Sequence, residues 1–200
     1  MFDRSRYRGV RTERPGPELE EVSRRLLTGF VVPTWIGAGF ADWWCHRRTD
    51  IEHTTGIRES LLHALQMAEA GVPTLLALFF EVNAGVLAVS LGALLLHQTT
   101  AAWDVAFAEG NRPVGPSEQH IHGMLEQLPV MAVAFLLAMH PDQALAMVGR
   151  GESKARWGME PKRRPLSRMY RAGLLGAIAG LIGVPYAEEL LRCARADRAT

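Results

Sequence analysis

From Leu61 to Phe107 the chain runs for 47 residues with Glu69, Glu81 and Asp104 as its formal charges. As one helix this run would extend about 70 Å at 1.5 Å per residue, whereas a bilayer core of roughly 30 Å takes about 20 residues. It must break. One candidate break is "EAGVP", Glu69 to Pro73; the other is "FEVNAG", Phe80 to Gly85. The first leaves one span, about Gly71 to Gln98. The second gives two spans, about Ile57–Phe80 and Ala84–Asp104, with Pro73 as an internal kink that membrane helices tolerate.

The other apolar runs extend the pattern. Leu26–Ala41 carries no charge, and Leu128–Met139 and Ala172–Ala187 are similarly apolar. Lipid offers backbone groups no partners, so such runs span as helices. The expected fold is all-α, an integral membrane bundle of about five transmembrane helices, with four as the alternative. Trp35, Trp43, Trp44, Trp103 and Tyr186 near run ends fit interfacial anchoring. The expected organisation is a basic, disordered tail at 1–25, membrane helices with the site at 26–140, a basic loop at 141–171, a final span at 172–190 and a tail at 191–200.

The tail and the 141–171 loop together hold fifteen of the 22 basic residues. With five spans they share one side, which the positive-inside rule makes cytoplasmic. The N-terminus is thus expected in the cytoplasm, with a bacterial-type inner membrane as location. A net charge of +1 gives no footprint for nucleic acid. The two cysteines are too few for a disulfide framework. "SRRLLTGF" at Ser23 has the look of a twin-arginine signal, but further membrane-length runs follow it.

A break at Glu81–Gly85 brings the polar helix ends to one side. Asp42 and His46 end the first span, Glu59 and His63 begin the second, His97 and Asp104 close the third, and Glu118, His120 and His122 open the fourth. Asp42/His46, Glu59/His63 and Glu118/His122/Glu126 are spaced by four, which stacks them on one helix face. An intramembrane charge costs roughly 2.5–3.5 kcal/mol, so Asp42, Glu59, Asp104 and Glu118 need something positive beside them. Imidazole mixed with carboxylate suits iron, zinc or manganese. Bundles that hold two metals project such pairs inward from four helices. The expected ligands are Asp42, His46, Glu59, His63, His97, Asp104, Glu118 and His122, with His120 in reserve and Glu52 and His53 nearby. The cofactor expected is a divalent metal, two irons, with zinc as the alternative.

The segment Asp42–Glu126 resembles the membrane-bound histidine-motif di-iron enzymes, the fatty acid hydroxylases and desaturases. Their H-x3-H and H-x2-H-H boxes are replaced here by D-x3-H, E-x3-H and E-x-H-x-H. The resemblance implies oxygen activation and oxidation of an alkyl chain supplied from the bilayer. The alternatives are a zinc-dependent membrane hydrolase, with Glu118 as base beside a metal-activated water, and a metal or proton transporter. Arg47, Arg48 and Arg58 are expected to snorkel at the interface. Glu69, Glu81 and His140 are expected at turns and boundaries. Gly173, Gly176, Gly180 and Gly183 give the last span a small-residue face for packing within the chain or in a homo-oligomer.

Overall fold

The turn between the second and third apolar spans is where the chain doubles back. The structure, a computed structural model, describes residues 15–199. Helix α3 runs Gly56–Phe79 and α4 runs Ala84–Glu109, separated by Phe80–Asn83. The break lies where a charge, an asparagine and a glycine stand together. Asn83 caps α4, its Oδ1 accepting from Val86 N at 3.1 Å while its Nδ2 donates to the Gly158 carbonyl at 2.7 Å. The freed backbone is met by the basic loop: Glu81 N donates to Glu160 O at 2.8 Å, Gly85 N to Arg156 O at 3.1 Å, and Lys162 N to Phe79 O at 2.9 Å. Gly85 is required here, since a Cβ would lie 2.7 Å from the Trp157 carbonyl oxygen.

The remaining elements are α1 (Pro17–Leu26), α2 (Val32–Arg48), α5 (Pro116–Met139), α6 (Pro141–Met147), α7 (Arg168–Ile178) and α8 (Val184–Asp197). A π turn, Leu27–Val31, joins α1 to α2, and another, Ala179–Gly183, joins α7 to α8. Each lies just before a proline, Pro33 and Pro185, and widens the helix where an N–H is missing. Pro73 lies inside α3, which continues to Phe79.

Four helices are long and apolar enough to cross a membrane: Gly56–Phe79, Ala84–Glu109, Pro116–Met139 and the continuous Arg168–Asp197. The protein is an all-α membrane bundle. The first expected span lies within continuous helix from Pro17 to Arg48 and is not among those four. The expected tail at 1–25 is corrected in part: from Pro17 the chain is helical, and residues 1–14 lie outside the described residues. The expected tail at 191–200 is likewise helical as far as Asp197.

Two apolar clusters fill the bundle. Trp35, Met67, Leu125, Leu128, Ile182 and Tyr186 belong to the larger one, around the helix midpoints. Val82, Val86, Leu87, Leu136 and Met139 form the other, beside the 80–83 turn. Gly39 lets α2 approach the π turn of the last helix, because a Cβ there would lie 2.5 Å from Ile182 Cδ1. The glycines of that last helix behave differently. Added Cβ atoms at Gly173, Gly176 and Gly180 would meet nothing within 4 Å, so these three do not pack within the chain.

Candidate metal centre

The end of the bundle away from the 80–83 turn gathers titratable side chains from five helices. Helix α2 brings Asp42 and His46, α3 brings Glu59 and His63, α4 brings Asp104, α5 brings Glu118 and His122, and α8 brings Glu189. The i,i+4 pairs share one face of their helices, as their spacing requires. The side chains of Asp42, His46, Glu59, His63, Asp104, Glu118 and Glu189 are all buried, and that of His122 is 11% exposed.

Glu189 organises the two central imidazoles. Its Oε2 lies 3.1 Å from His46 Nδ1 and its Oε1 lies 3.0 Å from His63 Nδ1. An ionised carboxylate only accepts, so each imidazole donates from Nδ1 and keeps its Nε2 lone pair free. The rings stack with centroids 4.1 Å apart and planes inclined by 9°. Two parallel Nε2 lone pairs thus emerge side by side on the face away from Glu189. This is the outer carboxylate–histidine arrangement that fixes metal-ligating imidazoles.

Carboxylates face those lone pairs. His46 Nε2 lies 3.5 Å from Asp42 Oδ1 and 3.4 Å from Glu118 Oε1. His63 Nε2 lies 3.3 Å from Asp104 Oδ2 and 3.6 Å from Glu59 Oε1. His122 Nε2 lies 3.0 Å from Asp42 Oδ1. Asp42/His46/His122 and His46/Glu59/His63 each offer ligand atoms within 4.8 Å of one another. The Nε2 atoms of all three histidines, with Asp42 Oδ1 and Asp104 Oδ1, are buried and lack hydrogen-bond partners. Buried polar atoms are rarely left so.

The carboxylates are oriented by further contacts. Tyr186 donates to Asp42 Oδ2 at 3.1 Å and to the Gly39 carbonyl at 2.9 Å. Gln66 Nε2 donates to Asp104 Oδ2 at 3.0 Å. Arg112, on the turn between α4 and α5, reaches Glu59 with Nε at 3.1 Å and Glu118 with Nη1 at 3.1 Å. Burial would push its guanidinium down, but the bonds to Glu59 and Glu118 hold it above its ordinary value. Five buried carboxylates and one guanidinium leave a formal charge of −1 with His46, His63 and His122 all protonated, and of −4 with the three in the neutral form that metal binding requires. Two divalent cations would offset that charge, and orphaned Nε2 and carboxylate atoms are the donors such cations take.

The expected set is therefore largely brought together: Asp42, His46, Glu59, His63, Asp104, Glu118 and His122 converge. His97 does not join them. Its Nε2 donates to the Leu125 carbonyl at 3.2 Å and its Nδ1 lies 3.7 Å from Glu69 Oε2, about two turns along α4 from Asp104. Glu69 is correspondingly no turn residue; it lies inside α3 and accepts from Thr100 Oγ1 at 2.9 Å. His120 points to solvent. His53 and Glu52 lie on the turn after α2, His53 beside Asp50 at 3.1 Å and Glu52 paired with Arg192.

Sequence reasoning missed Glu189, Tyr186, Gln66 and Arg112. Glu189 had a signal, since an acid at the end of an apolar run is expensive unless partnered. Arg112 had none, because its loop has no periodicity. Comparison with protein-family models, with curated proteins and with solved structures finds no match, so the centre is defined by its own geometry.

Proposed function

We propose that this chain is a membrane-embedded, metal-dependent oxidoreductase with two irons, acting on a lipid or alkyl substrate. The observation that supports it most is the pair of stacked imidazoles, His46 and His63, backed by one carboxylate and faced by four. Side by side, each Nε2 would offer a lone pair to its own ion. His46, Asp42, His122 and Glu118 form one half-site; His63, Asp104 and Glu59 form the other. Arg112 bonds both oxygens of Glu59 and of Glu118, including the Oε1 atoms that face the imidazoles, so these two acids would hold an ion only by sharing those oxygens with the guanidinium. Bound iron would supply dioxygen activation. The overall change, C–H to C–OH, consumes one dioxygen, two electrons from a donor and two protons, and releases one water. The residues of the chain position the ions, exclude bulk water and hold the imidazole protons on Nδ1.

A second reading, a zinc-dependent hydrolase, draws support from loop charge. The basic 149–171 segment packs at the opposite end of the bundle, so the positive-inside rule directs the centre outward. A bacterial-type inner membrane and a cytoplasmic N-terminus belong to the same reading of charge. A transport function fits less well, since the donors gather at one end rather than along the full depth.

Metal analysis of the detergent-purified protein tests these alternatives. Two irons per chain, together with oxygen consumption dependent on an alkyl substrate, are expected. One zinc per chain would favour the hydrolase, and metal-free protein after growth in iron and zinc would overturn the metal centre altogether.

A further inference from the structure

A large cavity lies outside the metal centre. It has a volume of about 810 Å³, is open on one side, and is lined by residues of α1, α2, α3, α4, α5 and α7 together with the basic loop. That is within the range of roughly 300–1,000 Å³ typical of ligand sites. Leu128 and Met139 mark its two ends on α5; eleven residues of helix separate them, about 16 Å. The walls between are apolar, with Leu78, Leu94, Val133, Leu136 and Leu174. The lining hydroxyls of Thr74 and Ser90 donate to their own helix carbonyls, Ala70 O and Val86 O, both at 2.8 Å.

The two ends differ. The inner end, at Trp35, Ala70 and Leu128, also carries the paired Glu69 and His97, and lies one turn from Met67 and Leu125, which line the small cleft among Asp42, His63, Asp104 and His122. The outer end lies beside the basic loop and is lined by Arg24, Arg156, Lys162, Arg163 and Arg164, against Glu20, Glu21 and Glu81. Two of these acids are already engaged: Glu21 pairs with Arg24 and Arg25, and Glu81 Oε1 accepts from Arg163 N at 2.6 Å. Lys162 Nζ donates to the Ala77 carbonyl at 2.6 Å, and neither it nor Arg164 forms an ion pair among the described residues. Burial lowers the Lys162 pKa while the nearby Glu81 carboxylate raises it, so with Arg24, Arg156, Arg163 and Arg164 at the same mouth the cations outnumber the acids five to three.

We propose that this cavity binds a single-chain anionic amphiphile, with its head between Lys162 and Arg164 and its tail running toward Trp35 and Leu128. The argument is complementarity of charge at the mouth and of polarity along the wall. As a binding site it stands on the cavity alone; as the seat of the substrate it rests on the metal-dependent reading above, the tail being aimed at the metal centre through Met67 and Leu125.

Photo-crosslinking in nanodiscs of zwitterionic lipid tests it, using hexadecanoate with a diazirine midway along its chain. Labelling is expected on Leu94, Val133 or Leu136. Unlabelled hexadecanoate and hexadecyl phosphate should both compete, and whichever is stronger identifies a carboxylate or phosphate head; hexadecanol should compete at least about tenfold less well. Lys162→Glu with Arg164→Glu should weaken labelling about tenfold or more. Ala132→Trp, which fills the cavity, should abolish labelling with metal content unchanged; if that variant loses metal as well, the mouth variants decide. Label confined to outward residues such as Leu95, Leu96 and Trp103, or equal competition by hexadecanol, overturns the proposal. His46→Ala separates the two claims. Cavity labelling that persists in protein lacking metal supports the binding site independently of the metal, whereas full metal with no cavity label sinks the binding site and leaves the metal centre standing.

Discussion

Glu189 bridges His46 and His63 from behind, one carboxylate oxygen to each Nδ1, at 3.1 and 3.0 Å. Helix α8 thereby sets the tautomer and direction of two imidazoles carried by α2 and α3. Removing that bridge leaves both rings free to turn. Outer-shell partners of this kind are worth about 10–100-fold in metal affinity. Glu189→Ala should weaken binding by that factor in a competition titration against a chelator of known affinity. Affinity equal to that of the parent protein would remove Glu189 from the centre.

His46→Ala and His63→Ala should each lose metal from the purified protein, as read by elemental analysis, because each removes a buried Nε2 that no hydrogen bond engages. His120→Ala and His97→Ala should keep it. His120 is exposed, and His97 is engaged by Leu125 and Glu69. Loss of metal in the His97 variant, with the fold intact by circular dichroism, would restore that residue to the ligand set.

Arg112 is a buried cation held by two carboxylates, Glu59 and Glu118. Deleting one partner of a buried ionic group costs about 3–5 kcal/mol, since the other charges stay desolvated. Arg112→Ala should lower the thermal midpoint of the metal-free protein markedly, and less so the metal-loaded protein, where bound cations offset the same acids. Arg112→Lys should rescue only in part, because one ammonium cannot reproduce the fork across two carboxylates. An equal loss with and without metal would separate Arg112 from the metal centre.

Metal retention should fall as pH falls. Neutral imidazole is the ligand, so protons compete with the metal for each Nε2. Metal is therefore held at the alkaline end and released on acidification, with protons taken up. A titration in a weakly chelating buffer between about pH 8 and pH 5 reads the release. Retention independent of pH across that window would argue against three histidine ligands.

Gly39 allows Ile182 to pass within reach of α2 and places Tyr186 over Asp42. Gly39→Ala should destabilise by about 1–3 kcal/mol through overpacking. Because the clash is with the tip of one side chain, Gly39→Ala combined with Ile182→Ala should recover part of the loss. A double variant no better than the sum of the singles, measured by thermal unfolding, would place the strain elsewhere.

Much of this architecture is determined by the sequence alone, because its causes are local. The break between Phe79 and Ala84 follows from an apolar run too long for one span and from an asparagine that caps the next helix. The pairing of Asp42 with His46, Glu59 with His63 and Glu118 with His122 follows from a helical period that no tertiary contact can alter. Only the tertiary structure decided which other side chains meet them. Glu189 joins the centre because α8 packs against both α3 and α2, and Arg112 because a loop without periodicity folds inward onto two acids. His97 has a plausible spacing from Asp104, yet two turns of α4 place it beside Glu69 and the cavity. Spacing along a helix fixes a direction; depth in the bundle and the identity of the opposing helix are set by packing.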